Sequence, residues 1–175
     1  MTSTRLYLVG TSHCYQYGAG AKRKVVCTVA QERAFRDFIR SLALQLKAVG
    51  LAEELNEEGL LAAEKSASVL QALAQELAVP HLLCEPSRSE RAALGAHEET
   101  WIRSIAFMDE KTEAEVQLEL GEQFRKRETV WLDRLESFAL WPILFVCGAD
   151  HVTSFSSRAA GRDVVVVLVH ADWQG

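Results

Sequence analysis

Two apolar segments near opposite ends of the chain finish on the same short pattern, Gly-x-x-His. Gly10 and His13 follow the first segment, and Gly148 and His151 follow the second. A neutral imidazole can accept a proton from water or bind a divalent metal ion. Glycine lets the backbone turn sharply off a strand and lets a ligand approach closely. The repeated pattern therefore predicts one site that contains both histidines.

Acidic residues follow two further apolar segments. Glu54 and Glu85 each lie at the end of such a segment. Two imidazoles with one or two carboxylates suit a divalent metal such as zinc or manganese, with His13, Glu54 and His151 as ligands. They suit metal-free hydrolysis equally well, in which a histidine deprotonates water and a carboxylate orients it. Strand alternation places Glu54, and not Glu53, on the side of this site.

Three arginines are candidates for substrate binding. Arg88 and Arg91 come shortly after Glu85 and could bind an anionic group of the substrate in a bidentate manner. Arg127 shares a helix face with Trp131, four residues later, and could reach the site from that helix. The alternative for all three arginines is an ordinary surface position, solvated in a loop or packed along a helix.

The candidate site residues need apolar strands to position them, and the hydrophobic pattern of the sequence predicts such strands. Such strands alternate with amphipathic helices, which predicts one α/β domain over residues 1–175, with a mostly parallel sheet of about five strands and helices on both faces. Ligands bind at the carboxyl ends of the strands in such sheets. The pattern places strands at 6–9, 51–56, 81–86, 143–147 and 163–170 and a loop at 14–24. It places helices at 31–50, 63–77 and 98–138, the last with a break near 108–111, and a short helix or turn at 153–160.

The composition limits the partners. A net charge of −5 and a pI near 5.6 give no electrostatic surface for duplex nucleic acid. No apolar run is long enough to span a membrane, and the amino-terminal residues resemble no targeting signal. The four cysteines form no C-x-x-C pair, which argues against a structural zinc knuckle. Cys84 and Cys147 lie in predicted buried strands, which favours reduced thiols. We therefore expect a cytoplasmic protein with a small-molecule or peptide substrate, and a homo-oligomer remains open.

The motifs "LYLVGTSH" and "VCGADHV", with Glu54 in a Glu-Leu-Asn sequence between them, resemble the TraB/Tiki group and its erythromycin-esterase/ChaN-like relatives. The matching positions are His13, Glu54 and His151. The resemblance covers the strand ends and not the helical middle of the chain. Tiki proteins are described as metal-dependent proteases, and the esterase branch hydrolyses a macrolide lactone. The resemblance thus implies a hydrolase without specifying the bond or a requirement for metal.

Together these patterns favour a small hydrolase that cleaves an ester, amide or phosphoester bond. His13, Glu54 and His151 would hold a metal or activate water, Glu85 would complete the site, and Arg88, Arg91 or Arg127 would bind the substrate. The alternative is a non-catalytic, Rossmann-like module that binds a nucleotide or another small molecule as a sensor. A structural partner subunit is a third hypothesis, but it leaves the strand ends unexplained.

Overall fold

Five strands and eight α-helices form the chain in the computed structural model, which describes residues 4–175. A 3₁₀ turn, Ala149–His151, joins the fourth strand to the last helix. The elements are β1 (Arg5–Thr11), α1 (His13–Tyr17), α2 (Val29–Gln45), β2 (Gly50–Glu53), α3 (Glu57–Ala62), α4 (Val69–Leu77), β3 (His81–Leu83), α5 (Arg88–Ala93), α6 (Glu99–Met108), α7 (Glu113–Phe138), β4 (Ile143–Gly148), α8 (Val152–Ala159) and β5 (Val165–Trp173).

All five strands run parallel in one sheet with the order β3-β2-β4-β1-β5. The α/β fold with a parallel sheet is therefore confirmed. Strand β4 lies in the centre, between β1 and β2, and its register aligns Thr11 with Gly148. The two strands that end in Gly-x-x-His are thus direct neighbours, and their carboxyl ends lie at the same edge of the sheet.

Helices cover both faces of the sheet because side chains alternate along each strand. On one face, Tyr7 and Val9 pack with residues of α1, α2 and α4, including Phe35. On the other face, Leu6 and Leu8 pack with residues of α7 and α8. Burial of each large apolar side chain contributes about 1.5–3 kcal/mol, so the two clusters fix the positions of the strands against the helices.

Local capping accounts for two differences from the expected elements and for one agreement with them. The helix expected at 63–77 begins only at Val69, because Ser68 caps it there with a capping box to Gln71, and the separate helix α3 precedes it. The strand expected at 51–56 ends at Glu53, because Asn56 accepts a hydrogen bond from the Gly59 amide and starts α3. The predicted break in the long helical segment is confirmed, since Thr112 caps α7 in the same way as Ser68 caps α4.

Two further expectations were wrong in part. The segment after β1 begins as helix α1, not as a loop, because Tyr15 and Tyr17 bury their rings there. Strand β5 is apolar as expected, but it lies at the edge of the sheet, and Val165 and Leu168 are exposed. No helix within residues 4–175 is long and apolar enough to cross a membrane.

Gly10 lies where β5 passes closest to β1. The pairing of the two strands is irregular here, and a Cβ atom at this position would lie 2.0 Å from the carbonyl oxygen of Ala171 and 2.4 Å from Cγ2 of Val152. The glycine of the first Gly-x-x-His pattern therefore lets protein segments approach each other, and not a ligand as the sequence suggested.

We predict that Gly10→Ala lowers the free energy of unfolding by about 1–3 kcal/mol or more, the usual cost of overpacking. The matched control is Gly121→Ala in α7, where a Cβ atom would meet nothing within 4 Å. That substitution should stabilise the protein by about 0.5–1 kcal/mol, because glycine is unfavourable inside a helix. Urea unfolding of both variants tests this. Equal stability of Gly10→Ala and wild type would contradict the packing described.

Candidate functional site

The carboxyl ends of four strands bring the predicted site residues to one edge of the sheet. His13 begins α1 directly after β1, and His151 ends the 3₁₀ turn after β4. Glu54 and Glu85 follow β2 and β3. The Nε2 atoms of His13 and His151 lie 3.7 Å and 3.5 Å from Oε1 of Glu54. The structure therefore places both histidines around one carboxylate, although they are far apart in sequence.

Glu54 is buried at the centre of this cluster. Its Oε2 accepts a hydrogen bond of 2.7 Å from the Gly148 amide, and its Oε1 accepts one of 2.5 Å from Nη2 of Arg127. Burial raises the pKa of Glu54, but the imidazoles of His13 and His151, which attract the carboxylate when they are protonated, the guanidinium and the Gly148 amide together lower it below its ordinary value. The group therefore stays ionised at neutral pH.

Glu53 points away from the site, as strand alternation predicts. Its Oε1 accepts hydrogen bonds from the Ser68 hydroxyl and, at 2.9 Å, from Nε2 of His81. Glu53 is completely buried and connects β2 with β3 and α4. These contacts hold structural elements together and do not involve His13 or His151. Of the two adjacent glutamates, Glu54 is therefore the one that belongs to the cluster.

Arg127 enters the cluster from α7 and pairs with two carboxylates. Its Nε and Nη2 donate to Glu85 at 3.0 Å, and Nη2 also donates to Glu54. Burial lowers the pKa of Arg127, but the charges of Glu54 and Glu85 outweigh this and raise it. Trp131 adds a hydrogen bond of 3.0 Å from its indole Nε1 to Glu85. In the structure Arg127 is thus a partner of the protein's own acids, whereas the sequence suggested a substrate ligand.

Of the two ring nitrogens of His13, only Nδ1 has a hydrogen-bond partner among the described residues. Its Nδ1 lies 2.9 Å from Oε1 of Gln16, whose Nε2 donates to the Val146 carbonyl at 3.2 Å. Because the Gln16 oxygen can only accept, Nδ1 of His13 carries a proton, and in the neutral imidazole the lone pair is therefore on Nε2. The His13 side chain is 44% exposed. Sequence analysis missed Gln16, and its spacing of three residues from His13 on a helix was the only available signal.

His151 is enclosed, in contrast to His13. Its Nδ1 donates a hydrogen bond of 2.9 Å to Glu128, which is completely buried and also accepts from the Ser154 hydroxyl. The rings of Phe124 and Trp131 lie 4.0 Å and 4.8 Å from the imidazole. The Nε2 atom therefore faces Glu54 and Arg127 inside the cluster. Sequence analysis also missed Glu128, because nothing in a single helix reveals which strand end it meets.

Gly148 allows the open histidine and the central carboxylate to come together. A Cβ atom there would lie 3.0 Å from Nε2 of His13 and 3.3 Å from Oε2 of Glu54. Its φ of −59° is ordinary for any residue. The glycine is therefore needed for close approach of side chains, and the sharp turn expected from the sequence is not its role.

The donor set does not fit a metal ion. Within residues 4–175 no three His, Cys, Asp or Glu side chains form a group that could hold one. The reason is Arg127, whose guanidinium lies 2.5 Å from Glu54 and 3.4 Å from Nε2 of His151. This cation already pairs with Glu54, the carboxylate that the sequence analysis named as a metal ligand. The zinc or manganese of the sequence analysis stays a prediction.

Two cavities open beside the cluster, and His13, Glu54 and Arg127 line both. The first has a volume of ≈ 440 Å³ and extends past Glu85 towards Arg88 and other polar residues. The second has a volume of ≈ 540 Å³ and extends past His151. Both volumes are in the usual range for small-molecule sites.

Arg88 and Arg91, the two arginines of α5 that were predicted to bind substrate, differ in their surroundings. Arg88 is exposed at the start of α5, whereas Arg91 lies 3.4 Å from Glu98 and 3.9 Å from Glu85. Both line the first cavity. Arg91 is therefore already paired with acids of the protein, and Arg88 is the more available of the two.

Comparison of the chain with protein-family models, with curated proteins and with solved structures found no match. The resemblance to the TraB/Tiki group therefore depends on the motifs at the strand ends alone.

We predict that Glu54 makes the fold sensitive to acid. Because its pKa is lower in the folded protein than the ordinary value of 4.5, its ionisation stabilises the fold fully above that value. This contribution is lost as the pH falls towards the folded pKa. The melting temperature of Glu54→Gln should accordingly be lower than that of wild type at pH 7, and the difference should shrink in acid.

The matched control is Glu57→Gln, which replaces an exposed glutamate on α3. Its melting temperature should follow that of wild type at every pH. Thermal unfolding between pH 7 and pH 3 provides the comparison. A Glu54→Gln variant that loses stability in acid as steeply as wild type would show that the carboxylate is not held in the ionised form.

Proposed function

We propose that the protein is a hydrolase in which His13 acts as the general base that activates water. The observation that supports this most is the state of His13. Its Nδ1 donates a hydrogen bond to the buried Gln16, its Nε2 has no hydrogen-bond partner among the described residues, and the partly exposed side chain lines a cavity. A base needs a lone pair that can reach solvent and substrate.

The reaction would proceed through attack of water on a carbonyl or phosphoryl centre. Nε2 of His13 removes a proton from the water molecule as its oxygen bonds to the electrophilic carbon or phosphorus. The imidazolium then returns this proton to the leaving oxygen or nitrogen when the bond to that atom breaks. Hydrolysis is thereby complete, and His13 is neutral again.

Glu54 would stabilise the charge that forms on His13. When Nε2 becomes protonated, the imidazolium cation lies 3.7 Å from Oε1 of Glu54. Because Glu54 is buried and stays ionised, its attraction to the imidazolium is weakly screened. Arg127 and the Gly148 amide hold the carboxylate in this position. These groups need no movement during the reaction, which favours catalysis.

His151 would act on the other side of Glu54 as a positioning residue. It is held by Glu128 and enclosed by Phe124 and Trp131, so its Nε2 has little access to solvent. It contacts Arg127 at 3.4 Å. We therefore assign it to maintaining the geometry of Glu54 and Arg127, and we assign the proton transfer to His13.

We predict that His13→Ala lowers kcat/KM by about 100-fold or more, the usual contribution of a general base. The melting temperature should change little, because the His13 side chain is partly exposed. Suitable substrates are p-nitrophenyl acetate, an unstructured peptide and bis-p-nitrophenyl phosphate. Activity of the wild type should also fall in acid, because a protonated imidazole cannot accept a proton.

The matched control is His170→Ala, which removes an exposed histidine on β5 and should retain full activity. Dialysis against a chelator tests the predicted metal in the same assays. Activity that survives the chelator supports direct activation of water, whereas activity that is lost and then restored by zinc or manganese supports the metal. Retained activity in His13→Ala would contradict the proposed base, and absence of turnover would favour the binding module.

A further inference from the structure

Within residues 4–175, two of the four arginines that line the first cavity have no acidic partner. Arg91 and Arg127 form ion pairs with glutamates of the protein. Arg23 and Arg88 line the same cavity as His13, and neither forms an ion pair within residues 4–175. Their guanidinium groups therefore retain free N–H donors that face a space of ≈ 440 Å³.

Arg23 is held in place by Tyr17. Its Nη2 donates a hydrogen bond of 3.1 Å to the Tyr17 hydroxyl, and its Cζ lies 4.4 Å from the centre of the ring. Tyr17 is buried, which raises the pKa of its hydroxyl above the ordinary value, so the group remains a neutral donor. Arg23 is thus positioned before any ligand arrives, although it belongs to an exposed segment.

Gly59 is further evidence that this wall of the cavity has a fixed shape. A Cβ atom at this position of α3 would lie 2.7 Å from the Tyr17 hydroxyl oxygen. Glycine inside a helix costs about 1 kcal/mol relative to alanine. Its presence here lets α3 pack directly against the hydroxyl that orients Arg23.

Arg88 lies on the α5 side of the same cavity. Its backbone N–H donates a hydrogen bond of 2.7 Å to Glu58, so this carboxylate already occupies the start of α5. The Arg88 side chain is exposed and makes no hydrogen bond within the described residues. Lys24, near Arg23, adds a further exposed cation beside His13 in an adjoining cavity.

We propose that Arg23 and Arg88 bind an anionic group of the substrate, a phosphate or a carboxylate, next to the bond that His13 hydrolyses. Guanidinium groups bind both anions through paired hydrogen bonds, and the Tyr17 hydroxyl supplies a further donor. The inner carboxylates do not compete for these arginines, because Glu54 and Glu85 are satisfied by Arg127. The substrate class is therefore an anionic ester or amide. This class depends on the proposed hydrolase activity, whereas the anion site itself does not.

Binding of inorganic phosphate and of succinate, measured separately by calorimetry, tests the anion site. We expect millimolar affinity for at least one of the two, weakened tenfold or more in Arg23→Gln and in Arg88→Gln. The tighter probe identifies the anion. The control Arg33→Gln removes an exposed arginine on α2, outside the cavity, and should bind as wild type does. Absence of binding, or equal binding in all variants, would overturn the anion site.

Two further measurements separate this inference from the proposed function. The variant His13→Ala should bind the anions as wild type does, since His13 is assigned only to proton transfer. The kcat/KM of the wild type should be higher for mono-p-nitrophenyl succinate than for the neutral p-nitrophenyl acetate. In the double variant Arg23→Gln/Arg88→Gln, the ratio of these two values should fall tenfold or more. Anion binding without turnover would refute only the hydrolase, and turnover without preference or binding would refute only the anion site.

Discussion

The buried carboxylate of Glu54 is the group on which the rest of the site depends. An ionised carboxylate can be buried only if cations and hydrogen-bond donors compensate for the loss of water. Here the Gly148 amide and Arg127 provide that compensation, and they come from β4 and α7. One acid after β2 thereby determines where the central strand ends and where the longest helix must lie.

Arg127 also connects Glu54 to Glu85, the acid that follows the neighbouring strand β3. Because it also binds Glu85, the residues that follow β2 and β3 are held by one guanidinium. Trp131, one turn later on α7, contributes its indole N–H to Glu85 and its ring to the core below the site. The same helix thus carries both the charge that stabilises the acids and the apolar surface that fixes the helix on the sheet.

The two histidines have similar sequence surroundings but different roles in the structure. His151 is enclosed by aromatic rings and bound to Glu128, whereas His13 is partly exposed and bound to the neutral Gln16. This difference divides the cluster into a sealed half and an open half. In the proposed hydrolase, water and substrate would react in the open half, and the sealed half would hold Glu54 and Arg127 in position.

Sequence patterns predicted what depends on local rules. Apolar strands alternating with helices predicted the parallel sheet, and strand alternation separated Glu54 from Glu53. The patterns failed where a partner lies far along the chain. Arg127 appeared to be a substrate ligand because the two acids it binds are more than forty residues away. Glu128 was missed for the same reason, since tertiary structure brings it to His151. Gln16 is only three residues from His13 and was missed because the segment 14–24 was expected to be a loop.

The protonation pattern of His13 tests the central claim most directly. Nitrogen-15 NMR of the histidine side chains, assigned with His13→Ala, reports which ring nitrogen carries the proton. The account predicts a neutral ring with the proton on Nδ1 and a lone pair on Nε2 at a pH where the protein is active. A proton on Nε2 at that pH, alone or together with one on Nδ1, would leave His13 unable to activate water and would contradict the account.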